Sequence, residues 1–182
     1  LPTDYASFVA ACKAFEEVGI RGFTADYLYD YTCMETLQGL SAGELTTIAG
    51  RKWRTAYSDP ANNTRVGLDD TVWPGGFERM EQFIQDTGLT AADLELNYDD
   101  VVEMFGNGQL AMYFGSSAGV GMFQEQGIDA TFLPIFSQNG EKWLMTTPYF
   151  QVALNRDLEQ DPTRREKAMQ ILHVMLSGDA QG

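Results

Sequence analysis

One histidine, two cysteines and no long apolar run are what this chain has least of, and each shortage removes a class of function. His173 with Cys12 and Cys33 cannot make a structural zinc site, and two cysteines are too few for a disulfide scaffold. No stretch approaches the roughly 20 apolar residues of a membrane-spanning helix, and the N-terminus has no basic region followed by an apolar one. Positive charge is also scarce. Twelve Lys and Arg stand against 26 Asp and Glu, and the net charge of −14 would repel a phosphate backbone. No basic patch interleaves with aromatics, so nucleic acid is not an expected partner. A Walker lysine, a dinucleotide glycine fingerprint and H-E-x-x-H are all missing, so neither a cofactor nor a metal is implied.

What is present is enough apolar material to fold. Hydrophobic residues make up 44% of the 182 positions, enough for one good core or one core plus part of another. The opening "LPTDYASF" enters a helix abruptly and reads as a chain cut from something longer. Thr3 can cap that first helix, which carries Phe8, Cys12 and Phe15 on one face and closes at Gly19. "IRGFTA" follows as a strand. Residues 41–72 read as a loop or a pair of loose helices, with a formal glycosylation triplet at Asn62-Asn63-Thr64 that carries no weight. After "WPGG" (73–76) comes a helix ended by Gly88, then a short helix capped by Asn97 and ended by Gly106. Strands are expected at 109–114, in "DATFLPI" and along 141–155. The stretch 163–178 has the spacing of an amphipathic helix, with Met169, Leu172, Met175 and Leu176 apolar. This alternation predicts an α/β layered lobe.

Few residues offer chemistry. Gly115-Ser116-Ser117-Ala118-Gly119 matches the G-x-S-x-G elbow of serine hydrolases, and strand, turn and helix follow in the required order. The base would have to be His173, which lies mid-helix, whereas a triad histidine usually comes from a loop. A glycine-rich turn at a strand's end is the plainer reading. In "DYLYDYTC" the rings of Tyr27, Tyr29 and Tyr31 recur at alternate positions between a strand and a helix. They are candidates for stacking on a ligand, or equally for edge packing. The acid pairs Asp69-Asp70 and Asp99-Asp100 are accounted for by a turn and a helix N-terminus. Cys12 and Cys33 sit on neighbouring elements and are either paired or buried thiols.

Four segments in order resemble the extracellular solute-binding proteins of ABC importers, the carbohydrate-type family that includes maltose-binding protein. They are "LPTDYASFVAACKAFEEVGI", "WPGGFERMEQFIQ" with "DDVVEMFGNGQLAMYFGSSAG", "ATFLPIF", and "QVALNRDLEQDPTRREKAMQILHVMLSGDAQ". The resemblance implies the second lobe of a type II periplasmic-binding-protein-like α/β fold over residues 1–147. A segment over 148–182 would return to the first lobe, and would otherwise dock on this lobe or pair with a second copy. It implies no catalysis. Tyr27, Tyr29, Tyr31, Gly115, Ser116 and Ser117 would face a solute in the interlobe cleft, and the partners would be that solute and a membrane ABC permease. The location would be extracellular or periplasmic, through a lipid anchor. Ser117 stands where many sugar binders of this family carry tryptophan and resembles the S-S-G form of glycerophosphate binders. The solute classes implied are therefore a sugar or oligosaccharide, or a glycerophosphodiester. A surface adhesion or regulatory module on the same fold is the other reading left open.

Overall fold

The computed structural model describes residues 1–59, 61, 66–68, 73–146 and 152–177. Asn62-Asn63-Thr64, Asp69-Asp70 and the centre of the expected strand 141–155 lie outside them. The chain is mixed α/β and divides into two compact units, Leu1–Met145 and Thr146–Gly182. Among the described residues there are eight α-helices and two two-stranded sheets, and no helix is long and apolar enough to cross a membrane.

In the first unit, helix α1 (Tyr5–Glu17) is capped by Asp4 rather than Thr3. The Asp4 carboxylate accepts from the Ser7 N–H at 2.8 Å, and Ser7 Oγ accepts from the Asp4 N–H at 3.0 Å. This reciprocal box fixes the start one residue later than expected. At the other end Gly19 adopts φ 79°, and the Ile20 N–H reaches back to the Phe15 carbonyl, turning the chain into strand β1 (Arg21–Thr24). Helix α2 (Asp30–Leu40) follows. The region expected to be loose then holds α3 (Ala42–Leu45) and α4 (Ile48–Ser58). Trp53 anchors α4: its ring is buried edge-on against Trp73 at 5.4 Å, and its indole N–H donates to the Gly67 carbonyl.

Helix α5 (Trp73–Thr87) begins at Trp73 itself, because Pro74 in its first turn costs no hydrogen bond. A 3-10 turn (Ala91–Glu95) leads to α6 (Tyr98–Gly106), where Asn97 is the cap and Asp100 completes a reciprocal box. Asp100 is thus structural, as its place in the first turn suggested. Gly108, and not Gly106, takes the left-handed conformation that stops α6 and starts β2 (Leu110–Tyr113). After α7 (Ser117–Glu125) the expected strand at "DATFLPI" shrinks to β3 (Ile135–Phe136), paired antiparallel with β4 (Lys142–Trp143). Pro134 has no N–H to donate and restricts Leu133, so no ladder extends upstream.

β1 and β2 pair in parallel, Arg21 with Leu110 and Thr24 with Tyr113. Behind them lies an aromatic core in which Phe23 meets Phe8 at 5.5 Å and Phe83 at 5.3 Å, both edge-on. Leu37, Leu45, Trp53 and Trp73 form a second cluster beneath α4.

In the second unit a 3-10 turn (Arg156–Gln160) precedes α8 (Pro162–Met175). The expected amphipathic face is not what α8 shows. Met169, Met175 and Leu176 are exposed, but Ile171 and Val174 on other sides are exposed too, so apolar side chains ring its C-terminal half. That pattern belongs to a helix meant to be covered on more than one side.

Candidate functional site

Parallel pairing decides which loops meet. Because Thr24 is opposite Tyr113, and the Phe114 N–H donates to the Thr24 carbonyl at 3.2 Å, the chain leaves β1 and β2 side by side at the same sheet edge. The carboxyl ends of parallel strands are where open α/β sheets hold ligands. One exit carries Ala25 to Tyr31, the other Phe114 to Ser117.

The first exit folds as two tight turns, Tyr27 N–H to the Ala25 carbonyl and Tyr29 N–H to that of Asp26. It is tied down by Leu28 N–H donating to the Leu96 carbonyl at 3.0 Å. The three tyrosines therefore do not alternate as in a strand. Tyr27 is 5% exposed, and its hydroxyl lies 3.3 Å from that of Thr36. Burial pushes its phenol well above the usual range, so it stays neutral. This corrects the expectation that Tyr27 faces a solute: it is part of the packing. Tyr29 and Tyr31 remain at the surface, 39% and 57% exposed, stacked with centroids 5.4 Å apart and planes 14° from parallel. Turn and helix geometry, not period two, brings them together, since Tyr31 already belongs to the first turn of α2.

Beneath this pair is Asp26, a residue the sequence did not mark. The residue is 8% exposed, and its carboxylate accepts from Thr32 Oγ1 at 2.9 Å and from the Tyr31 hydroxyl at 3.5 Å. Among the described residues no Lys or Arg pairs with it. Burial first, and then the Asp26 charge, raises the Tyr31 phenol. Tyr113 is pushed up to about 12 by burial, then by neighbouring Tyr98 and Asp26.

At the second exit Gly115, Ser116 and Ser117 are all exposed. Ser116 caps α7 without a side-chain hydrogen bond, and the Gly119 N–H donates to the Ser116 carbonyl at 3.1 Å. The two glycines of the G-x-S-x-G pattern have a packing duty. A Cβ at Gly115 would run into the Tyr113 ring, and one at Gly119 would come within 2.7 Å of the Tyr113 hydroxyl. They clear space for an aromatic cluster in which Phe105 contacts both Tyr113 and Phe123. Ser117 has no side-chain hydrogen bond to a base among the described residues, and His173 lies in the last turn of α8 in the other unit.

Cys12 and Cys33 are both free thiols, Cys12 buried and Cys33 half-buried, so no disulfide joins α1 to α2. The exits could hold a polar ligand with an apolar face: flat rings for stacking, a carboxylate to accept, hydroxyls and N–H groups to donate. Comparison with known proteins returns no matching family, no matching curated protein and no matching solved structure.

Proposed function

We propose that this chain is the second lobe of an extracellular solute-binding protein of an ABC importer, type II in fold, and that it captures a sugar or sugar-like solute without turning it over. The observation that carries this reading is the stacked, exposed Tyr29–Tyr31 pair at the same sheet edge as the exposed Gly115-Ser116-Ser117 turn. Tyrosine rings cover the apolar face of a pyranose, while serine hydroxyls and helix N–H groups satisfy its hydroxyls. Closure against the other lobe by hinge motion would present the loaded receptor to a permease. The ring of apolar residues around α8 suits a segment that another lobe or a second copy covers. In the bacterial setting this reading implies, the parent protein is lipid-anchored and extracellular or periplasmic.

A fluorescence titration with mono- and oligosaccharides tests the reading, since Trp53, Trp73 and Trp143 all lie in the first unit. Saturable binding without turnover, weakened in Ser117→Ala, is expected. Hydrolysis of an ester that disappears in the same variant would replace the receptor by an enzyme.

A further inference from the structure

We infer that Asp26 sets the charge class of the solute, accepting hydrogen bonds from a neutral polyol and excluding anionic solutes such as glycerophosphodiesters. The inference rests on the receptor reading and narrows it. Three observations point the same way. Asp26 is a buried residue, 8% exposed, yet its carboxylate receives only two hydroxyl donors, at 2.9 and 3.5 Å, and no cation among the described residues. A carboxylate offers about four lone-pair positions, so acceptor capacity is left at the site. Secondly, Asp26 lies in the first exit and its carboxylate is reached by the hydroxyl of the exposed Tyr31, which places its negative charge at the rim where the solute would lie. Thirdly, among the described residues no Lys or Arg lies within ion-pair distance of Asp26, and Arg21 is already engaged by Asp93 at 2.8 Å. A phosphodiester brought here would meet an uncompensated like charge in a poorly solvated place, which the open N-terminus of α7 offsets only in part. A sugar hydroxyl would instead donate to it, and hydrogen bonds to a buried charge are the strong ones.

The test is calorimetry on the full-length protein with maltose and chitobiose as neutral probes, and glycerol 3-phosphate and glycerophosphoglycerol as anionic ones. Wild type should bind a neutral probe and discriminate against both anions. Asp26→Asn, checked for folding by its melt, should weaken neutral binding roughly 10- to 100-fold and narrow the gap to the anions. Asp26→Glu should restore the discrimination. Anion binding as tight as neutral binding in wild type would overturn the inference without any variant. So would a folded Asp26→Asn protein with unchanged preferences. Both outcomes leave the receptor reading standing, whereas no saturable binding of either neutral probe would refute the receptor and this inference together.

Discussion

Removing the Asp93 carboxylate is expected to be among the costliest single changes in the first unit. Asp93 is 5% exposed and sits in the 3-10 turn before α6. Its Oδ1 accepts from Arg21 Nη2 at 2.9 Å and from Thr24 Oγ1 at 2.7 Å. Its Oδ2 accepts from Arg21 Nη2 at 2.8 Å, from the Thr90 N–H at 2.7 Å and from the Thr90 hydroxyl at 3.1 Å. Asp93→Ala strands the fully buried Thr24 hydroxyl, one backbone N–H and a guanidinium together. Breaking a buried pair in this way costs about 3 to 5 kcal/mol. The lower end applies, because Arg21 keeps Glu16 at 3.5 Å and the Gly88 carbonyl, and its side chain is 22% exposed. About 3 kcal/mol corresponds to roughly 6–12 °C in melting temperature for a chain of this size. Thr24→Val removes one donor to the carboxylate and should cost about 1 kcal/mol. In the Asp93→Ala background it should cost almost nothing, a non-additivity that identifies the contact. Tryptophan fluorescence during urea unfolding reads the first unit directly. A loss below about 1 kcal/mol for Asp93→Ala would refute the reasoning, showing that desolvation cancels the network's gain. If the proposed receptor function holds, the variant should also weaken saccharide binding, since the same 3-10 turn leads to Leu96, whose carbonyl holds the tyrosine loop.

Two further outcomes follow from packing and burial. Gly119→Ala should destabilise by about 1–2 kcal/mol by crowding the Tyr113 hydroxyl, and adding Tyr113→Phe should recover most of that loss. Recovery in a urea melt supports the packing role of the glycine, and a purely additive pair would refute it. Burial raises the Cys12 thiol from 9.0 to about 11, so native Cys12 should resist a thiol reagent at pH 8 while both cysteines react after denaturation. The same shift predicts that stability is unaffected by this group below pH 9. It then falls between pH 9 and 11, where the unfolded chain releases the proton and the folded one keeps it. Cys12→Ala should lessen the decline between pH 9 and 10, below the range where the raised phenols of Tyr27, Tyr31 and Tyr113 add their own, and an unchanged profile there would mean that other groups cause it.

What could be read from the residues in advance was local. Asn97 as a cap, the glycine after α1 and the strand, turn and helix around GSSAG are signalled within a few positions, and the structure carries them. What could not be read depends on distant partners. Asp93 and Arg21 are 72 residues apart, so nothing near either one announces the ion pair. The inward turn of Tyr27 is decided by Thr36 and by the tie to Leu96, and a count of alternate positions misses it. The strand in "DATFLPI" is cut to its end for a nearer reason, since Pro134 offers no N–H to a ladder and β3 begins only after it. The only local signal for Asp26 is an acid two residues past the end of β1, next to a tyrosine.

The parallel pairing of β1 with β2 also sets a timetable. An antiparallel hairpin can close as soon as its turn is made, but β1 must wait until α2 to α6 have been synthesised before its partner exists. During that wait α1 can pack on β1 and α2 can find α5, so helical contacts accumulate before the sheet does. The rim bearing Tyr29, Tyr31 and Ser116 is therefore assembled in the closing event of folding. A nascent chain stopped before Leu110 would hold a partial core with no paired strands, and the long loop closed by that event makes it the slow, cooperative step.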